Sequence, residues 1–408
     1  MCGCCSASRP WPVSLRVSTG QVVEVPANRI PPDCQRITPA MLPLVELDQD
    51  SIDRVVACIP GGAANVQDIY PLAPLQEGLL YHHMTAARDP YQQHALFAFA
   101  RREDLDAFAL ALQAVIESHD ILRTSLVWDV LEQPLQVVWR QARLTVQEWQ
   151  AGPGGHVAER LREHFDPQHN PLDIRQAPML ALAWAEDRAN GRWIGLLRFH
   201  HLVNDATSTA VLLAEIAAHV QGRQASLAPA YAYRDYVART RQGQAAHKAF
   251  FEAGLGTVDE PTLAFELQER PGEHLDLQHA SGLLEAELGQ RLRTQVRQLG
   301  VSAASLFHLA WALVLGRTSG REDVLFGSVL LGRLQAGAGA DRALGMFINT
   351  LPLRLELAGL TVAEGLGQAQ QRLSALLAHE QAPLSLAQRC SAVAAPTPLF
   401  NALSLIHI

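Results

Sequence analysis

The sequence predicts an α/β protein of two lobes, each with its own core. Three observations carry this. The chain has 408 residues, against the ~100–200 of a typical domain. Hydrophobic residues make up 48% of it and charged residues 18%, a balance that builds packed interiors and excludes a disordered chain. Both halves mix segments of period two with segments of helical period, so each supplies a sheet and the helices to cover it.

Taken in order, Met1–Ser51 reads as an inter-domain linker. It carries Pro26, Pro31, Pro32, Pro39 and Pro43 and no sustained helical period. Its opening, Met1-Cys2-Gly3-Cys4-Cys5-Ser6, has the look of a start-site artefact. A first lobe is expected over 52–240. It begins with a short helix from Ile52 to Ile59, closed by Gly61-Gly62. Leu105, Phe108, Leu112 and Val115 recur at helical spacing and predict an amphipathic helix over Asp104–Ser118. Leu180–Glu186 and Trp193–His201 read as strands, with Asn190-Gly191 as the hairpin turn between them. A helix follows, with Leu212, Ile216 and Val220 on one face and Thr207 or Ser208 near its N-cap. Arg241–His279 is polar and reads as the connection between lobes.

The second lobe is expected over 241–402. Ser302–Gly316 is an apolar, buried helix, and Asp323–Leu330 a short buried strand. Leu351, Leu353, Leu355 and Leu357 alternate with Arg354 and Glu356 in a half-buried strand, and Val362–His379 is a further helix. The last residues, Leu403–Ile408, can be encoded by a transposon end used in sequencing-library preparation. A translated adapter tail is therefore expected at 403–408, with the second lobe cut short there.

Several function classes are disfavoured. Net charge is −8 and the pI about 6.0, so no basic field for nucleic acid is present. Of 33 basic residues only Lys248 is lysine. No uninterrupted apolar run reaches the ~18–20 residues of a membrane span, and Met1–Pro12 lacks the apolar stretch of a secretory signal. Cys2, Cys4, Cys5, Cys34, Cys58 and Cys390 form no paired CxxC set, which points to a reducing cytoplasm.

The segment Phe199-His200-His201-Leu202-Val203-Asn204-Asp205 is the richest in chemistry. Two histidines end an apolar strand and an acid follows. Neighbours on a strand point to opposite faces, so at most one of the two rings faces a given cavity. Imidazole suits proton transfer because its ordinary pKa of ~6.5 lies near working pH. A pair of structural histidines is the plainer alternative. A metal set of His200, His201 and Asp205 is disfavoured, because the spacing is not H-E-x-x-H and the faces alternate.

Read with its surroundings, His200–Asp205 resembles the HHxxxD core of condensation domains from nonribosomal peptide synthetases. Other segments resemble that family's motifs in the same order: Tyr70–Gly78, Ser118–Thr124, Tyr233–Tyr236, Asp323–Arg333 and Gly345–Arg354. The resemblance implies two chloramphenicol-acetyltransferase-like lobes in a V-shaped pseudo-dimer with a central tunnel. It implies that upstream and downstream carrier domains, beside an adenylation domain, deliver acyl thioesters on phosphopantetheine arms, with no cofactor or metal bound by the domain itself. The acceptor amine then attacks the donor thioester. By the same resemblance the catalytic set is His201, His200 and Asp205. His201 faces the tunnel as general base or orienting group, Asn349 is a tunnel candidate, and Asp205 is a structural partner of an arginine. Arg333 is the first candidate for that arginine and Arg123 the second. An unpaired aspartate beside the site would push the histidine pKa upward.

Two departures stand out. The glycine that ends the family's HHxxxDG is Ala206 here, a substitution that a left-handed backbone would resist. In addition, His82-His83 followed by Arg88-Asp89-Pro90-Tyr91 resembles the extra HH…GD signature of dual epimerisation/condensation domains, with Arg88 in place of its glycine. Epimerisation of the donor before condensation is the expectation. A plain D-donor-accepting domain, a free-standing acyltransferase that uses a diffusible CoA thioester, and a non-catalytic carrier-docking module are the alternatives.

Overall fold

The computed structural model describes residues 24–85, 89–152, 154–267 and 278–406. Arg88 and the cysteines of the first five positions lie outside them. The chain divides into two units, one of Val23–Gln242 with Ala336–Phe347 and the other of Gly243–Gln335 with Ile348–Ile408.

In the first unit the strands are β1 (Val66–Pro71), β2 (Gln92–Phe99), β3 (Thr124–Val127), β4 (Leu135–Trp139), β5 (Thr145–Glu148), β6 (Leu180–Asp187) and β7 (Arg192–His200). They form a four-stranded sheet of order β2-β7-β6-β5 and a three-stranded sheet of order β1-β4-β3. The helices are α1 (Gln49–Ala57), α2 (Pro74–Thr85), α3 (Arg102–Ser118), α4 (Val157–His164), α5 (Ala206–Val220) and α6 (Tyr233–Thr240). The central strand β7 is antiparallel to both neighbours, with Gln92 opposite His200 on one side and Leu180 opposite Phe199 on the other.

Its two faces are covered by different helices. A Cβ on Gly195 would meet the Phe99 ring at 3.0 Å and Leu105 of α3 at 3.5 Å, so glycine lets α3 approach that face. On the opposite face Ile194 and Leu196 pack with Leu161 and Phe165 at the end of α4. Arg198 lies over the Phe165 ring at 5.0 Å, and alternation puts His200 on this same side.

Here the sequence reading and the structure differ in four places, each for a physical reason. The stretch read as linker is partly core: Ile30, Cys34, Ile37, Leu42 and Val45 are buried, because prolines fix an extended path without preventing apolar contact. The hairpin loop runs over Arg188–Gly191, four residues, with Asn190 bonded back to both Asp187 carboxylate oxygens and Gly191 at φ 59°. The N-cap of α5 is Asp205, whose side chain accepts the Ser208 N–H, in place of Thr207 or Ser208. Finally, Val220 at the end of α5 is 52% exposed, while Leu212 and Ile216 alone of the predicted stripe are buried.

The second unit holds α7 (Gln244–Leu255), α8 (Ala286–Leu299), α9 (Ala303–Ser319), β8 (Asp323–Leu330), β9 (Asn349–Glu356), α10 (Val362–Leu377), α11 (Leu384–Arg389) and β10 (Leu403–Leu405). β8 is antiparallel to β9 and parallel to β10. Leu351, Leu353 and Leu355 of β9 are buried, as the alternation predicts, and each burial is worth ~1.5–3 kcal/mol of transfer free energy. They join Leu309, Ala312 and Leu315 of α9 and Leu366, Leu373 and Leu376 of α10 in one core.

Two expectations fail in this unit. The polar connection after Arg241 contains α7, whose Phe251 and Leu255 belong to the core, because isolated apolar positions at helical spacing suffice to anchor an otherwise polar helix. Helix α9 is buried on one face only, with Phe307, Leu313 and Val314 exposed. Leu403–Leu405, within the stretch read as adapter tail, pairs as a strand against Gly327–Val329. A Cβ on Gly327 would lie 2.3 Å from Leu403 and 2.7 Å from Phe400, so glycine is required where these side chains cross β8.

Candidate active site

The site grows from the end of β7. The strand stops at His200, and His201–Val203 turn as a short 3-10 helix before α5. Gln76 of α2 sets this turn. It is fully buried, its Nε2 donates to Leu202 O at 2.7 Å and to Gln136 Oε1 at 3.0 Å, and its Oε1 accepts the Ala73 N–H. The His201 N–H donates to Tyr91 O at 2.9 Å. The His201 ring is partly exposed, and its Nδ1–H donates to the Asn204 carbonyl at 2.5 Å. A carbonyl only accepts, so this bond fixes the tautomer and leaves Nε2 as a lone-pair acceptor.

His200, also expected in the catalytic set, is fully buried with both ring nitrogens engaged. Nδ1 accepts the Leu202 N–H at 3.0 Å, so the ring proton sits on Nε2, which donates to Asp89 Oδ2 at 2.8 Å. His200 therefore orients its surroundings and does not present a nitrogen to a substrate. Burial pushes its imidazole below the ordinary range, partly offset by Asp89. His83 Nδ1 donates to the same Asp89 oxygen at 2.7 Å, while Asp89 Oδ1 accepts the Tyr91 N–H at 2.9 Å. Burial alone would raise the Asp89 carboxyl, but the bonds from His200 and His83 hold it well below the usual carboxylate range. His82 stands apart: it is exposed, stacks on Tyr91, and meets the Tyr91 hydroxyl through Nδ1 at 2.5 Å.

Asp205 is buried. Its Oδ1 accepts the Ser208 N–H at 2.7 Å and its Oδ2 the Phe347 N–H at 3.1 Å. One carboxylate thus caps α5 and holds the Gly345–Phe347 loop. The Ser208 hydroxyl adds a reciprocal pair, donating to Gly345 O and accepting the Gly345 N–H. Tyr233 and Tyr236 of α6 donate their hydroxyls to Met346 O and Phe347 O. Gly345, at φ 142°, has no room for a Cβ, which would lie 2.4 Å from the Tyr233 ring. Asp120 in turn accepts the Tyr233 N–H at 2.9 Å, and burial pushes its carboxyl up to about 6. These bonds are the physical content of the ordered motifs, and they explain why Ala336–Phe347 belongs with the first unit.

Ala206 opens α5 as an exposed residue and is absent from the positive-φ positions, so the extra methyl meets no backbone strain. Arg123, the second candidate partner of Asp205, is committed elsewhere. Its Nη1 donates to Gln67 Oε1 and to the carbonyls of Trp139 and Arg140.

Arg333 and Asn349 lie in the second unit. Asn349 is buried, its Nδ2 donates to Glu380 O and Ala382 O, and its Oδ1 accepts the Thr350 N–H. Its amide is thus spent on backbone, a structural role in place of the expected tunnel role. The loop that carries Arg333 is held by Glu380, a fully buried carboxylate that accepts N–H groups of Gln335, Gly332 and Leu334. Burial dominates and pushes the Glu380 carboxyl up to about 7 from an ordinary 4.5. The folded state therefore binds this proton more tightly than the unfolded chain. The penalty for the ionised form is complete above about pH 7 and relieved as pH falls toward 4.5. The melting temperature of the wild type is expected to rise relative to Glu380→Gln between about pH 8 and about pH 5. A pH-independent difference would remove Glu380 from this linkage.

Sequence reasoning missed the roles of Gln76, Ser208, Asp89 and Glu380. Asp89 carried a signal as the acid following His82-His83, Gln76 as part of the Tyr70–Gly78 motif and Ser208 as a residue near the expected N-cap of α5, whereas Glu380 carried none.

Comparison with known proteins agrees with this architecture. Residues 66–405 match the family model described as "Condensation domain". Malpinin synthetase of Mortierella alpina is 45% identical over 387 residues, 94% of this chain but 5% of that protein. Malpibaldin synthetase of the same organism is 44% identical over 391 residues, 95% of this chain and 7% of that protein. The chain thus spans a small part of the curated relatives it matches. Among solved structures, the first condensation domain of the CDA synthetase superposes with a TM-score of 0.62 at 20% identity, covering 82% of this chain and 79% of that one. The condensation domain of the Monacolin K polyketide synthase gives a TM-score of 0.64 at 20% identity, covering 83% and 81%. The HHxxxD turn, the motifs bonded around it and the match across most of its length establish that this chain belongs to the condensation-domain family of nonribosomal peptide synthetases, whose chemistry is amide-bond-forming acyl transfer.

Proposed function

We propose that this domain joins a donor aminoacyl or peptidyl thioester to the amine of an acceptor aminoacyl thioester, both on phosphopantetheine arms of upstream and downstream carrier domains beside an adenylation domain in a cytoplasmic assembly line. The observation that carries this is the His201 ring. Its Nδ1–H is spent on Asn204 O, and its Nε2 is the acceptor at the end of a buried strand. That nitrogen can take a proton from the acceptor ammonium, freeing the neutral amine to attack, or hold the neutral amine in line with the thioester carbonyl. The His83–Asp89–His200 cluster supports epimerisation of the donor as a second activity of the domain.

The test mixes the chain with two carrier proteins loaded with different aminoacyl groups and follows the carrier-bound dipeptide by mass spectrometry. Dipeptide is expected on the acceptor carrier. Equal turnover from a diffusible CoA thioester would favour the free-standing acyltransferase, and binding of loaded carriers without turnover would favour a docking module.

A further inference from the structure

We propose that the α4-covered face of strands β2 and β7 carries a binding site for a small oxyanion, a phosphate or a carboxylate, with Arg198 as its central cation. The site is separate from the condensation reading and does not rest on it. Arg198 is only 8% exposed. Its guanidinium donates to the Asn170 carbonyl and lies over the Phe165 ring at 5.0 Å. No carboxylate among the described residues pairs with it, and burial pushes its pKa below the ordinary value with no acid to offset the shift. A buried cation without a counter-ion is costly to a fold, and neither a carbonyl nor a ring face neutralises it.

The neighbouring side chains add donors. Strand pairing sets His94 opposite Arg198 and Gln92 opposite His200, so alternation puts these four residues on one face. Helix α4 packs over that face through Leu161, and its Arg162 donates Nε–H to His94 Nε2 at 3.0 Å. His94 is therefore the neutral tautomer with its proton on Nδ1. Burial and the Arg162 charge hold its pKa below the ordinary imidazole range, partly offset by Asp166. Gln92 Oε1 accepts the Leu172 N–H at 2.8 Å, which leaves Nε2 as the donor end of the amide. That NH₂ group is buried and has no acceptor.

Two guanidinium groups, an imidazole N–H and an orphaned amide thus share one face. Water could bond to these N–H groups but would leave the charge of Arg198 uncompensated. An oxyanion does both, and the planar guanidinium matches two of its oxygens. His94 and Arg162 are exposed, which leaves Arg198 at the inner end of the cluster and favours a small ligand.

The probe is inorganic phosphate, with acetate as a second arm, titrated into the whole chain in phosphate-free buffer and followed by calorimetry at an ionic strength held constant with sodium chloride. Saturable one-to-one binding of at least one of the two is expected. Arg198→Met, which keeps an apolar contact for Phe165, and Arg162→Ala should each weaken it by about 10–100-fold, the range of a charge-assisted hydrogen bond. Arg162→Lys keeps the charge and should lose less than Arg162→Ala. At tenfold excess over Kd the anion should raise the melting temperature of the wild type by roughly 3–6 °C and leave that of Arg198→Met unmoved. If Arg198→Met fails to fold, Arg162→Ala, a change at an exposed residue, carries the test. Phosphate binding tighter than acetate assigns a phosphate ligand, and the reverse order assigns a carboxylate. Absence of saturable binding by either anion overturns the inference. So does binding that survives in both variants, because it places the anion elsewhere on the chain.

Discussion

His201→Ala is expected to lower dipeptide formation between loaded carriers by roughly 10²–10⁴-fold, the range of a positioned acid–base group. The reason is local. His201 Nε2 is free to accept because Nδ1–H is held by Asn204 O, and no other ring of the HHxxxD turn offers a free nitrogen, since both of His200 are engaged. The variant loses one hydrogen bond from a partly exposed side chain, about 1 kcal/mol, so its melting temperature should fall by no more than about 4 °C. His201→Gln separates base from orienting group. A glutamine amide can donate to Asn204 O but does not take up a proton at neutral pH. Activity within about tenfold of wild type in His201→Gln would assign an orienting role, and wild-type turnover in His201→Ala would remove the residue from the reaction.

Asp205→Ala should act on the fold before it acts on chemistry. At least two bonds are lost with the carboxylate. The cap on α5 is worth about 1 kcal/mol. Removing the acceptor of the buried Phe347 N–H costs about 1–3 kcal/mol more. For a unit of ~200 residues the sum corresponds to a fall of about 5–15 °C in melting temperature, with poor solubility as its practical sign. Asp205→Asn divides the two contributions: its carboxamide oxygen can still cap Ser208 N–H, while its NH₂ faces the Phe347 N–H, donor against donor. It should lose the larger share of the stability. If Asp205→Ala melts like the wild type yet is inactive, Asp205 takes part in the reaction directly. If it melts lower and condenses at the wild-type rate per folded molecule, its role is architectural.

How these residues are reached differs from one to the next. The helix over Asp104–Ser118 and the strands 180–187, 192–200 and 323–330 were legible because each buries one stripe or both faces, and burial writes its period into the chain. The two-lobe α/β class and the HHxxxD turn were legible for the same reason, and the ordered motifs named the family. The linker reading failed at Ile30–Val45, and the polar connection at Phe251, because a few apolar residues without a period can still fill a core. The partners of the functional groups were not legible. Asp89 meets His200 across 111 positions, Asp205 meets Phe347 across 142, and Gln76 meets Leu202 across 126. Hydrogen bonds of this kind leave no periodic trace, since a polar residue is written the same way whether its partner is solvent or a distant backbone N–H. The sequence alone therefore placed His201 at the end of a strand. Long-range packing decided which of its nitrogens is free, that His200 has none to offer, and that the acid after His82-His83 closes on His200 rather than on solvent.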